Sequence, residues 1–118
     1  MLIRAVAAVK DLFFVARIKE TARIVGTPLT FARTPEDLAA ALVDSPDLVI
    51  LDLTTKDWDY EAFFAALESA APGPPVLGFT THALARLTQP LHGRCTRVVT
   101  KETLTQELPE LLKSGVTA

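Results

Sequence analysis

Along the chain, short apolar runs alternate with stretches whose apolar positions recur every three or four residues. This is the pattern of strands alternating with amphipathic helices. Ile3 to Val9, small and β-branched residues ending at Lys10-Asp11, predicts a first strand. Leu12 to Val25 places Phe14, Ile18, Ala22 and Val25 at helical spacing, with Arg17, Lys19, Glu20 and Arg23 between them and Gly26 at the usual C′ position. Pro28 to Ala32 predicts a short second strand. Thr34-Pro35-Glu36-Asp37 then opens a helix with a capping threonine, proline in the first turn and acids against the dipole. Leu38, Ala41 and Leu42 form its inner face.

The third strand is the most distinctive stretch. In Asp47-Leu48-Val49-Ile50-Leu51-Asp52-Leu53, four consecutive large apolar residues run into a lone carboxylate, with Ser45-Pro46 before and Thr54-Thr55-Lys56-Asp57 after. Such a run suits a strand buried on both faces. Asp57 or Asp59 can cap the next helix, on which Tyr60, Phe63, Phe64, Leu67 and Ala71 share one face, read as core; Pro72-Gly73-Pro74-Pro75 stops it. Val76 to Phe79 predicts a fourth strand ending in Thr80-Thr81. A short, weak helix follows, carrying Leu84, Leu87 and Leu91 and cut by Pro90. Arg97 to Thr100 predicts a fifth strand ending at Lys101. A last helix is expected from Thr103 or Thr105 to Lys113, with Gly115 beyond it and Pro109 tolerated if it falls in the first turn.

Five strands alternating with five helices in so short a chain imply an α/β fold: a doubly wound, five-stranded parallel sheet with right-handed crossovers and helices on both faces. The flavodoxin-like order 2-1-3-4-5 is the natural candidate, and it makes the ends of strands one and three neighbours at the topological switch point. That order sets Asp11 beside Asp52, with Thr80 and Lys101 on the same rim. Ligands gather at the carboxyl ends of such sheets, so Asp52 stands where a working acid would stand. A carboxylate there also caps its own loop, and position alone does not separate the two roles.

Composition narrows the class. The chain has 118 residues, 49% of them apolar, which fits one folded domain with a real core and leaves no room for an output domain. No apolar run approaches the roughly 18 residues of a membrane span. The start Met1-Leu2-Ile3-Arg4 lacks the marks of a leader, so a soluble, cytoplasmic protein is expected. Cys95 is the only cysteine, which excludes an internal disulfide and a CxxC site. Charge is segregated: Glu36 to Glu68 holds nine acids and one base, whereas Pro74 to Lys101 holds no acid but contains Arg86, Arg94, Arg97, Lys101, His82 and His92. This asymmetry marks an acidic-partner surface, a nucleic-acid contact or, more often in a domain of this size, merely solvated faces.

Three other readings fit less well. A small α/β enzyme would use His82 or His92 as a general base, but no nucleophile motif accompanies them. A nucleotide site lacks the glycine-rich turn after the first strand. A nucleic-acid module built on Arg86, Arg94 and Arg97 is disfavoured by an acidic chain with no interleaved aromatic surface.

"PDLVILDL", "PPVLGFT" and "RVVTK", in this order and spacing, make the chain resemble a receiver domain of bacterial response regulators, of the chemotaxis type, over nearly its full length. The resemblance implies Asp52 as phosphoacceptor, Asp11 as direct Mg²⁺ ligand with Asp52 and the Thr54 backbone carbonyl, Thr80 as switch hydroxyl and Lys101 as the cation paired with the phosphoryl group. It also implies a protein partner, such as a histidine kinase or a downstream signalling protein. The expected partner face is the fourth helix, fifth strand and fifth helix, with Arg86, Arg94 and Arg97, and that face also suits a homodimer.

Three departures modify this expectation. Receivers carry a pair of acids after the first strand, and here the first is Lys10. At an effective dielectric of about 20, like charges about 4 Å apart repel by roughly 4 kcal/mol. Mg²⁺ should therefore bind weakly and not be required, unless Lys10 points away into solvent. The aromatic switch position of the fifth strand is Val98, and the proline after the lysine is Glu102. The expected function is a stand-alone, atypical receiver-like signalling module, not an enzyme, that works through protein–protein interaction with weak or absent phosphorylation at Asp52. The alternative is an ordinary Mg²⁺-dependent phosphoacceptor.

Overall fold

The structure, a computed structural model, describes residues 3–70 and 72–116. Strands β1 (Ala5–Ala8), β2 (Leu29–Ala32), β3 (Leu48–Asp52), β4 (Val76–Thr80) and β5 (Arg97–Thr100) form one parallel sheet. Their order is β2-β1-β3-β4-β5, as the alternation predicts. Helices α1 (Leu12–Val25), α2 (Pro35–Leu42), α3 (Tyr60–Glu68), α4 (Ala85–His92) and α5 (Lys101–Ser114) connect and follow them, with a 3-10 turn at His82–Leu84 ahead of α4.

The continuous apolar runs are explained by two cores. On one face, Ala7, Ile50, Leu77 and Phe79 of the sheet meet Ile18 of α1 and Leu104 of α5. On the other, Val6, Val49 and Leu51 meet Leu38 of α2 and Phe63 and Phe64 of α3. Every residue of β1, β3 and β4 is buried, so neither face of these strands needs a polar position.

Local signals set most boundaries. Gly26 ends α1 in the left-handed region at φ 79°, which costs glycine nothing. The Thr34 hydroxyl accepts from the Asp37 N–H ahead of α2, with Pro35 at the helix start. Of the two candidate caps for α3, Asp59 takes the role, accepting from the Ala62 N–H, while Asp57 turns to Lys10. Ala71, expected on the inner face of α3, lies outside the described residues.

Three expectations are corrected. β1 is shorter at both ends than its apolar run, and β4 extends one residue further, to Thr80. α5 starts at Lys101, not at Thr103 or Thr105, because Thr100 caps it directly by accepting from the Thr103 N–H. The loop between β5 and α5 is thereby eliminated. Pro109 consequently lies inside α5 and not in its first turn, as Pro90 lies inside α4.

Gly78, in the middle of β4, is required by close approach. A Cβ there would meet Cys95 Sγ at 2.8 Å and Leu53 Cδ1 at 3.0 Å. Overpacking of this kind costs about 1–3 kcal/mol. Gly78→Ala should therefore lower the urea midpoint, and adding Cys95→Ala should recover part of the loss by removing the sulfur. A Gly78→Ala variant as stable as the wild type, or one that Cys95→Ala fails to relieve, would contradict this packing account.

Candidate functional site

The carboxyl ends of β1, β3, β4 and β5 form one rim. Asp52 is the last residue of β3 and only 5% exposed. Its Oδ1 accepts from the Thr54 N–H at 2.8 Å and the Thr54 hydroxyl at 2.6 Å. Its backbone carbonyl accepts from the Tyr60 hydroxyl at 2.6 Å, and that hydroxyl accepts from the Thr55 N–H at 3.0 Å. Burial pushes the Tyr60 phenol up to about 12, so it stays a hydrogen donor throughout the neutral range. The loop after β3 is thus pinned from both sides. Tyr60 reads as core in the sequence; the available signal was a phenol on a phenylalanine face, which needs a polar partner when buried.

Asp11 has a role that the strand–helix pattern alone did not announce. Its Oδ1 accepts from the N–H groups of Phe13 (2.9 Å) and Phe14 (3.2 Å), capping α1. Its Oδ2 accepts from Lys101 Nζ at 3.3 Å, and that ammonium sits 4.9 Å above the Phe14 ring. The Phe14 N–H foremost, joined by the Lys101 ammonium and the Phe13 N–H, holds the Asp11 carboxyl below the usual 3.8 of an aspartate, against the opposing effect of desolvation.

Lys10 points to neither extreme expected of it. Its Nζ lies 2.8 Å from Asp57 Oδ2, in a pair whose side chains are 52% and 67% exposed. The Lys10 hydrogen bond, first among the causes, lowers the Asp57 carboxyl. The Thr80 side chain, 3% exposed, lies 2.9 Å from the Thr88 hydroxyl of α4. The structure thus joins Asp11 to Lys101 directly and sets Asp52 and Thr80 on adjacent strands. Among the described residues, however, the Asp52 carboxylate bonds to Thr54 and not to Lys101 or Thr80. Thr54 reaches the carboxylate through its N–H and hydroxyl.

A Mg²⁺ site needs several hard oxygens free to face one point in near-octahedral array. Both Asp11 oxygens and one Asp52 oxygen are already engaged, and no group of three or more candidate metal-ligating side chains occurs among the described residues.

The basic stretch is largely spent inside the fold. Arg94 pairs with Glu61 at 2.6 Å and Glu68 at 3.1 Å while lying 4.6 Å over the Phe64 ring. Arg97 pairs with Glu107 at 3.0 Å. Of the nine acids in the acidic stretch, Glu61 and Glu68 thus pair with a base of the basic stretch, and of the three arginines Arg86 is the exposed one on α4 without such a pair among the described residues. His82 lines an open groove of about 950 Å³ between α1 and α5, beside Phe13 and Lys101, whereas His92 contacts Thr88 through Nε2 at 2.9 Å. Burial pushes the Cys95 thiol up to about 11, which keeps it protonated and unreactive.

With this geometry in hand, the comparisons with solved structures are informative. The chemotaxis response regulator CheY4 of Vibrio cholerae matches with a TM-score of 0.75 at 18% identity, over 95% of this chain and 97% of that one. The phosphorylated cyanobacterial phytochrome response regulator RcpA matches with 0.70 at 19% identity, over 99% and 98%. A protein described as one of a family of redox sensors in the streptococci, evolved from two-component response regulators, matches with 0.73 at 15% identity, over 91% of this chain and 48% of that one. The protein has the flavodoxin-like fold of response-regulator receiver domains. In sequence alone, no family model and no curated protein matches the chain. No helix among the described residues is long and apolar enough to cross a membrane.

Asp11 is tested by separating its cap from its charge. Asp11→Ala should cost about 1 kcal/mol by removing the cap. Asp11→Asn, which still caps, should cost only a few tenths, the worth of an exposed ion pair. Because the folded value of Asp11 is depressed, its contribution is present above pH 3.8 and lost as the pH falls through the folded value. The gap between wild type and Asp11→Asn should therefore close in acid. An asparagine as costly as alanine would show that the charge, not the cap, dominates.

Proposed function

We propose that this protein is a receiver-like signalling module that acts by binding a protein partner, with weak or absent phosphorylation at Asp52. The observation that supports this reading is the disposition of the rim cations. Lys101 is committed to Asp11 and the Phe14 ring, and Lys10 to Asp57. Phosphoryl transfer onto a carboxylate needs positive charge aimed at the moving oxygens, because its catalysis is almost all positioning and electrostatics. A divalent cation supplies that charge when bound. Here Asp11 and Asp52 would hold it weakly, and internal ion pairs make it unnecessary for folding.

The fold is compatible with either role, since the neighbours include a phosphorylated response regulator and a redox sensor derived from response regulators. The partner face is α4, β5 and α5. Its accessible features are Arg86 and Leu87, the latter 75% exposed, while Arg94 and Arg97 shape the face through their ion pairs. The same face serves a kinase, a downstream protein or a second copy of the chain.

Mass spectrometry after incubation with acetyl phosphate and Mg²⁺ tests the reading. The wild type should acquire little phosphate, and Lys10→Asp, which restores an acid and releases the pair with Asp57, should acquire several-fold more on Asp52. A readily phosphorylated wild type would instead make the protein an ordinary phosphoacceptor with Asp52, Thr80 and Lys101 in their expected roles. An inert Lys10→Asp would place the obstacle in the Lys101–Asp11 pair or the missing β5–α5 loop.

A further inference from the structure

The turn that follows β3 is built around a phenol. In a β-turn running from Asp52 to Thr55, the Thr55 N–H would donate directly to the Asp52 carbonyl. Here the Tyr60 hydroxyl stands between the two groups, accepting from the Thr55 N–H at 3.0 Å and donating to the carbonyl at 2.6 Å. The direction of both bonds is fixed, because an N–H can only donate and a carbonyl can only accept. Among the described residues the Thr55 N–H has no other partner.

The phenol is held from its own side as well. Tyr60 is the first residue of α3, capped by Asp59, and its ring packs against Trp58 and the fully buried Phe63, with centroids 6.1 and 6.2 Å away. Core packing, and not the loop, therefore delivers the hydroxyl. Of the two residues between the bridged groups, Leu53 is buried and its N–H donates to the Phe79 carbonyl at 3.0 Å. The other, Thr54, gives both its N–H and its hydroxyl to Asp52 Oδ1. Asp52 Oδ2 takes no hydrogen bond among the described residues, where no fully buried side-chain oxygen lacks a partner, so Oδ2 is the oxygen that reaches the surface.

We propose that Tyr60 is a positioning residue for the Asp52 side chain: by holding the turn open at the width of one hydroxyl, it keeps Thr54 on Oδ1 and presents Oδ2 alone at the rim. Without the phenol, the Thr55 N–H and the Asp52 carbonyl bond to each other or to water, and Thr54 between them moves with the turn. The carboxylate, bound by both donors of Thr54, turns in response. The opposing account is that Asp52 and Thr54 form a local turn that supports itself, since an aspartate side chain readily bonds the backbone two residues on. The two accounts differ in whether the phenol controls anything beyond Thr55. For chemistry at the rim the inference rests on the receiver-like reading, in which Oδ2 is the oxygen that an incoming phosphoryl group would meet.

NMR at neutral pH, with neither phosphoryl donor nor Mg²⁺ present, provides the test. In Tyr60→Phe the Thr55 amide should exchange about fivefold faster, the equivalent of one net hydrogen bond. The Thr54 amide should follow it and the Asp52 side-chain carboxyl carbon should shift, although neither group bonds to the phenol. Thr54→Val, which removes one of the two donors, should shift the same carbon. Adding Tyr60→Phe to it should then displace that carbon by less than Tyr60→Phe does alone. A response confined to Thr55, or a lowered urea midpoint with the Asp52 carbon at its wild-type shift, would show that the Thr54 turn supports itself and would overturn the proposal; additive shifts would overturn it equally. Should Thr54→Val fail to fold, Tyr60→Phe decides alone. Because no phosphate is involved, failure here is distinct from failure of the phosphorylation test.

Discussion

The ion pair between Lys101 and Asp11 is the interaction on which the character of the rim depends. It ties the start of α5 to the start of α1 across the end of the sheet, and it assigns to structure two residues that the receiver resemblance assigns to phosphate chemistry. An exposed pair of this kind contributes little by itself. Its effect comes from combination: the same carboxylate caps α1, and the same ammonium lies on the Phe14 ring, which packs 5.0 Å from Phe79 in the core. Pulling Lys101 toward Asp52 would strip charge from a working helix cap. The side chains at the rim are those that the receiver resemblance assigns to a phosphoacceptor site, and here they bond to one another, to Thr54 and to Thr88.

The absent loop between β5 and α5 has the same consequence. With Thr100 capping α5 immediately, Lys101 becomes the first helical residue and its backbone is fixed by the helix. Its side chain must then reach outward from a helix start, where Asp11 is at hand. On the opposite side of the rim, Asp52 is satisfied by Thr54 and its carbonyl by Tyr60, so the β3 side is equally self-contained. These bonds offset part of the cost of burying the Asp52 carboxylate.

The fold was legible because both sources of information agreed. The all-apolar run Leu48 to Leu51 demanded burial on two faces, and the cap signals at Thr34 and Gly26 are local chemistry that tertiary contacts had no reason to override. Where it was not legible, a residue served two readings. Pro109 suggested a helix beginning near it, but the Thr100 hydroxyl won because a cap at the strand end satisfies free N–H groups at once, whereas Pro109 costs one bond in a helix already anchored by Leu104, Leu108 and Leu112. The strand-end positions of Asp11, Asp52, Thr80 and Lys101 were legible, but the bonds these residues make were not. Nothing in the order of residues says that Lys10 will choose Asp57, that Arg94 will turn back to Glu61 and Glu68, or that Thr88 will meet Thr80. Those are choices among nearby partners, made by side-chain reach and by the packing of helices whose azimuth the sequence leaves open.

The claim that the rim is internally neutralised is tested most directly by following the Asp11 side-chain carboxyl carbon through an NMR pH titration, in the wild type and in Lys101→Met. The account predicts that Asp11 titrates below 3.8 in the wild type and that its midpoint moves upward when the ammonium is removed. An Asp11 midpoint unaffected by Lys101→Met, with the Asp52 carboxyl responding in its place, would mean that Lys101 belongs to the phosphoacceptor after all and that the rim is an open site.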